Sequence, residues 1–189
     1  MRRLTELCFI VVLALVMTEG SSAQKYEVDA YGGAFFPGKF ADVIELDNES
    51  IFGVRTGVFL RRGVLAEGNF GYINHLNFRD TLTQKRAYIW DGSVTYHVGK
   101  RRTRPYATLG AGVVRTTVSN DARTLFGPNA LPAEHFFALN FGGGVKTIRR
   151  WGPLGYRVDV RERLIPRYYG FQFHWIETTA GLTIAWGER

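Results

Sequence analysis

From Tyr26 onward the chain alternates apolar and polar residues with period two, in segments of about ten residues, with little sustained helical periodicity. Successive side chains of a strand point to opposite faces, so such alternation predicts strands with one apolar and one polar side. Eight segments qualify: Tyr26–Phe36, Ile51–Leu60, Val64–Asn74, Ala87–Val98, Tyr106–Val114, Phe136–Lys146, Leu154–Arg163 and His174–Trp186. The seventh is the clearest, with Tyr156, Val158 and Val160 set against Arg157, Asp159 and Arg161. The fourth sets Tyr88, Trp90, Val94, Tyr96 and Val98 against Ile89, Asp91, Ser93, Thr95 and His97.

The connections also alternate. Long ones follow the odd strands (Pro37–Ser50, His75–Arg86, Arg115–His135, Leu164–Phe173) and short ones the even strands (Arg61–Gly63, Gly99–Pro105, Thr147–Pro153). Short turns at one end and long loops at the other are the pattern of transmembrane barrels, with the short turns and both termini in the periplasm. The predicted fold is all-β: one eight-stranded antiparallel up-and-down transmembrane β-barrel. Two features put lipid outside. Aromatics near strand ends (Tyr26, Phe59, Tyr72, Tyr88, Trp90, Tyr96, Trp175, Trp186) suit an interfacial girdle. Glycines such as Gly53, Gly57, Gly110 and Gly112 on the polar face leave room in a narrow interior for long charged side chains. The inverted arrangement, a soluble lipocalin-like barrel around an apolar ligand, is the alternative.

Residues 1–23 read as a signal peptide. Arg2 and Arg3 precede the apolar run Cys8–Met17, and Ser21-Ser22-Ala23 supplies small residues for cleavage before Gln24. The run is too short to span a bilayer, which takes roughly 20 residues. The barrel domain is then 24–189. Cys8, the single cysteine, falls in the leader, so stability must come from a source other than disulfides, and a closed barrel supplies one by pairing every strand edge. Mean hydropathy is near zero, as expected when lipid-facing and lumen-facing residues alternate.

Charge then adds sidedness. Losing the leader removes two cations (Arg2, Arg3) and two anions (Glu6, Glu19), so the net charge stays at +7. Export argues against nucleic acid and for anionic lipid as the partner. Arg61, Arg62, Lys100, Arg101, Arg102, Arg104, Arg149 and Arg150 fall in the predicted periplasmic turns, where they either meet anionic headgroups or simply keep the turns soluble. The first long loop is acidic, with Asp42, Glu45, Asp47 and Glu49. On the predicted inner face, Arg55, Glu67, Asp91, Arg157, Asp159, Arg161 and Glu177 include both signs, which predicts a salt-bridged lumen. The competing reading is a set of solvated lumen side chains, and with it a narrow small-solute channel.

Candidate chemistry is sparse. Beyond the leader the serines are Ser50, Ser93 and Ser119, and no GxSxG or HxS pattern occurs. Ser93 and His97 share a face but stand about 13 Å apart on a strand, too far for a nucleophile–base pair. His135 and His174, with Glu134, could approach one another at the external rim, but they form no metal-ligand motif. Gly142-Gly143-Gly144-Val145-Lys146 lacks the strand-to-helix junction of a phosphate loop. The expectation is no enzyme, cofactor or metal. The longest loop carries Leu125-Phe126-Gly127-Pro128 and Leu131-Pro132, apolar residues that suit a contact surface or a cover over the barrel mouth.

The segments Arg104-Pro105-Tyr106-Ala107-Thr108-Leu109-Gly110-Ala111-Gly112, Asn140-Phe141-Gly142-Gly143-Gly144-Val145-Lys146, Tyr156-Arg157-Val158-Asp159-Val160-Arg161 and Thr179-Ala180-Gly181-Leu182-Thr183-Ile184 resemble strands five to eight of the small outer-membrane β-barrels of the OmpA/OmpX type. The resemblance implies a bacterial outer-membrane location and insertion by the barrel assembly machinery. A monomer acting in membrane structure, or through external loops as a binding surface, is the expected function. That family ends on a C-terminal aromatic, whereas here Gly-Glu-Arg follows Trp186.

Overall fold

The computed structural model describes residues 26–38, 48–61, 63–76, 85–99, 101–118, 134–168 and 171–186. The expected signal peptide, the Leu125–Pro132 stretch, Asp42, Glu45, Asp47, Arg62 and Lys100 lie outside the described residues. Eight antiparallel strands form a closed barrel in sequence order: β1 (Tyr26–Pro37), β2 (Glu49–Arg61), β3 (Val64–Leu76), β4 (Lys85–His97), β5 (Thr103–Val118), β6 (Glu134–Trp151), β7 (Leu154–Tyr168) and β8 (Phe171–Trp186). This is the up-and-down barrel expected from the alternation.

The register fixes the barrel's shape. One path of paired residues runs Tyr26, Val58, Ala66, Val94, Leu109, Phe141, Glu162, Ile176 and back to β1 at Phe36. One circuit therefore advances ten residues along β1, which tilts the strands by about 40°. Ten residues so tilted rise about 25 Å, the height of the apolar band of outer-membrane barrels.

Each of the three short turns has a glycine at positive φ, a conformation that residues with a side chain rarely adopt: Gly63, Gly99 and Gly152. Tyr26 and Trp186 pair at this same end and their rings stack at 6.3 Å. The termini of the described barrel therefore lie with the short turns.

Several strands run past their expected ends. Leu164–Phe173 is not a long loop. β7 continues to Tyr168 and β8 starts at Phe171, because Ile165, Tyr168 and Phe173 are buried inside and extend the alternation. Pro166 and a register shift between Ile165 and Tyr168 hide that pattern in the sequence. Likewise β6 crosses a bulge between Thr147 and Trp151, so Arg149 and Arg150 belong to a strand rather than a turn. Arg61 and Glu49 belong to β2 and Arg104 to β5, while Arg101 and Arg102 remain exposed turn residues.

The two faces differ sharply. Val54, Phe70, Val94, Leu109, Val158 and Leu182 are exposed outside, whereas Arg55, Glu67, Asp91, Arg157 and Asp159 are buried inside. Toward the loop end the interior turns apolar, with Phe35, Ile51, Ile73, Ile89, Ile165, Tyr168, Phe173 and Trp175 in one cluster. Apolar walls are thus not sparse inside. Phe59 and Trp175 also leave the expected girdle. They share the inward parity of Arg55 and Glu177, and Trp175 is only 2 % exposed. Phe59 lies against the inward-facing His97 ring at 5.6 Å.

Candidate functional site

The interior holds the chemistry of this chain. Among the described residues, the buried cations Arg55, Lys146, Arg157, Arg161 and Arg163 meet the carboxylates of Glu27, Asp29, Glu67, Asp91, Asp159 and Glu177. Each is inside because it has the inward parity of its strand. Each persists there because it is paired, since an unpaired buried charge costs several kcal/mol, on the order of 3–5 when one partner is removed.

Some pairs run across the lumen and others along its wall. Arg55 on β2 lies 3.1 Å from Asp159 on β7, and 3.2 Å from Asp29 on β1. Arg157 on β7 reaches Glu67 on β3 with two nitrogens, and Asp159 at 2.9 Å. Arg161 lies 2.7 Å from the same Glu67. Arg163 on β7 sits between Asp91 on β4 (2.9 Å) and Glu177 on β8 (2.8 Å). Lys146 on β6 pairs with Glu27 on β1. Glu67 and Asp159 thus each serve two or more guanidinium groups, which ties β2, β3 and β7 together through the centre, and Arg55 adds β1 through Asp29.

Neutral groups complete the network. Tyr106 donates its hydroxyl to Asp159 (2.7 Å) and accepts from Arg157 Nε (2.6 Å). Tyr31 donates to Asn69 (2.9 Å), and Asn69 donates to Asp91 (2.9 Å). Trp175 Nε1 donates to Glu177 at 2.7 Å, where the charged layer meets the apolar one. Arg55 also stacks over Tyr31, 3.8 Å from the ring centroid, and Arg157 over Tyr106 at 4.5 Å.

Five of the seven expected lumen residues, Arg55, Glu67, Arg157, Asp159 and Arg161, form one ion-paired cluster, and the other two, Asp91 and Glu177, both pair with Arg163. Sequence reasoning passed over Glu27, Asp29, Lys146 and Arg163 as network members. Their signal was parity: Glu27 and Asp29 alternate with Val28 and Ala30, and Arg163 continues the series Arg157, Asp159, Arg161. The exposed side chains of Arg101 and Arg102, and Arg104, whose Nε donates to the Arg101 carbonyl at 2.6 Å, make no part of it.

Ser93 and His97 both face inward on β4, and His97 Nδ1 lies 3.4 Å from the Gly63 carbonyl. His174 takes Glu162 as its partner at 3.2 Å, on the outer face, rather than Glu134 and His135. Among the described residues no group of three His, Cys, Asp or Glu is placed to hold a metal ion.

No protein-family model and no curated protein matches the sequence. Solved structures do match. Neisserial surface protein A superposes with a TM-score of 0.64 at 14 % identity, over 88 % of this chain and 99 % of that one. The N-terminal β-barrel domain of Pseudomonas aeruginosa OprF gives 0.59 at 16 % identity, over 86 % and 97 %. The fold is that of the small outer-membrane β-barrels. Ail, the attachment invasion locus protein of Yersinia pestis, gives 0.54 at 10 % identity, over 88 % and 100 %. At 10–16 % identity this chain differs from each of the three at most positions, so the likeness is one of architecture.

Proposed function

We propose that the chain is an integral protein of the bacterial outer membrane, with a closed lumen and with function vested in membrane structure or in a surface formed by its external loops. One observation carries this reading: charge is buried inside the barrel while the outside is apolar over about 25 Å of height. A soluble carrier would require the reverse, because contiguous exposed apolar surface of that extent is not tolerated in water. The short turns and both termini face the periplasm, insertion is by the barrel assembly machinery, and the protein acts as a monomer among outer-membrane lipids, without nucleic acid.

Closure of the lumen is supported by the bridges between non-neighbouring strands, which cross the path that a solute would take. A surface role is supported by the length of chain that joins β1 to β2, β3 to β4 and β5 to β6, and by the likeness to a protein named for attachment and invasion. Catalysis is not part of the reading, since Ser93 and His97 lie inside the barrel on one strand.

The test is the outer-membrane fraction run on a gel in mild detergent, boiled and unboiled. A heat-dependent mobility shift supports the reading. Recovery of the protein soluble in periplasm or medium would overturn it. Single-channel recording separates the closed barrel from the narrow channel: a silent bilayer is expected, and conductance that changes when Arg55 or Asp91 is neutralised would establish the channel instead.

A further inference from the structure

The outer wall is not uniform. Across β2 to β5 a row of small residues in register, Thr56, Gly68, Gly92 and Ala111, faces outward at mid-height. Together with Val54, Phe70 and Trp90 they line a recess of about 480 Å³ in the apolar band. The recess is open: a Cβ at Gly92 would meet nothing within 4 Å, and one at Gly68 only the Thr56 hydroxyl, at 3.6 Å.

A second feature lies above it on the same strands, toward the loop end. Trp90 stacks on Tyr88 at 5.9 Å, and Tyr88 contacts Tyr72 at 5.2 Å, forming an aromatic shelf. Beside and above the shelf, with outward parity, come Arg115, which pairs with Tyr88, then His135, which pairs with Arg115, and Arg86, which pairs with Thr117. Arg86 and Arg115 are therefore diagonal neighbours, about 7–8 Å apart at the backbone. The three residues spread over β4 to β6, roughly 10 Å of barrel wall. Neither arginine meets a carboxylate among the described residues. Outward cations at the upper edge of an aromatic belt sit where lipid phosphates sit.

We propose that the outer wall of β4–β6 is a binding site for one phosphorylated, multiply acylated saccharolipid of the outer leaflet. Arg86 and Arg115 take its phosphates, His135 adds a hydrogen bond, the Tyr88–Trp90 shelf carries the sugar–acyl junction, and one acyl chain lies in the recess at Gly92. Two separate cations, one on β4 and one on β5, with a hydrogen-bonding His135 beside them on β6, match a headgroup with more than one phosphate better than a singly charged glycerophospholipid. The inference rests on the outer-membrane reading above, with the loop end outward.

The experiment titrates the folded full chain, in dodecyl maltoside, with bis-phosphorylated lipid A and reads the complex by native mass spectrometry. Dephosphorylated lipid A, phosphatidylglycerol and inorganic phosphate are run beside it. The expected result is a one-to-one complex with bis-phosphorylated lipid A, weakened about tenfold or more by Arg86→Ala with Arg115→Ala. Gly92→Leu, which fills open space and leaves the cations in place, is expected to weaken it as well. Equal binding by parent and double-arginine variant would overturn the proposal, as would equal binding of phosphatidylglycerol or full displacement by inorganic phosphate. Heat-dependent gel mobility of each variant shows that it is folded. A folded barrel that ignores lipid A refutes this site alone, whereas a chain that never gives the mobility shift refutes the membrane reading beneath it.

Discussion

Glu67→Gln tests whether the interior charges hold one another or are merely wetted. Glu67 accepts hydrogen bonds from Arg157 and, at 2.7 Å, from Arg161, and all three side chains are buried. The substitution keeps the shape and removes one negative charge, leaving Arg161 with only Asp159, at 3.6 Å. Removing one partner of a buried pair costs about 3–5 kcal/mol. With a urea slope of about 1–3 kcal/mol per molar, the midpoint of unfolding should fall by about 1 M or more. The assay is urea unfolding in lipid vesicles, followed by gel mobility and tryptophan fluorescence. A second variant, Glu67→Gln with Arg161→Met, removes the stranded cation and is expected to recover much of the loss. A single variant within about 0.5 kcal/mol of the parent would refute the reasoning, because that is the result for a charge that water already screens. So would a double variant less stable than the single one.

Three further outcomes follow from the faces of the barrel. In single-tryptophan variants, lipids brominated on their acyl chains should quench Trp90 and Trp186, which face outward, and spare Trp175, which lies inside; quenching of Trp175 to the same degree would reverse its assignment. Gly112→Ala should destabilise by about 1–3 kcal/mol, since its Cβ would lie 2.1 Å from the Trp90 carbonyl oxygen and force the backbone to move. Gly92→Ala, which meets open space, should stay within about 0.5 kcal/mol of the parent by the same unfolding assay.

The number and order of strands were legible because alternation survives wherever both faces are consistently occupied, as in Tyr156–Arg161. It failed where a residue broke the period. Pro166 and the bulge before Tyr168 concealed the end of β7, and with it the apolar inner cluster to which Ile165, Tyr168 and Phe173 belong. Parity assigns a side chain to a face but says nothing of its partner. Partners across the lumen depend on the ten-residue advance of the register, which only emerges when all eight pairings are known together. That is why Arg157 with Glu67, ninety residues apart, could not be read from the sequence. Trp175 misled for a different reason: an indole near a strand end suits a lipid interface, yet its parity puts it inward, where its N–H finds Glu177.

The charged interior has a consequence for how the strands find their register. A slip of β7 by one residue would turn Arg157, Asp159, Arg161 and Arg163 outward, and each cation so exposed costs roughly 2–4 kcal/mol near the bilayer midplane. Alternation alone therefore forbids odd slips. A slip of two preserves every face and is invisible to that argument. It would, however, move the guanidinium groups about 6.6 Å along the strand, well outside hydrogen-bond reach. Arg163 would leave both Asp91 and Glu177, and Arg157 would leave Glu67. The apolar band excludes odd registers and the ion pairs exclude even ones, so the two faces of each strand specify a single closed barrel only in combination.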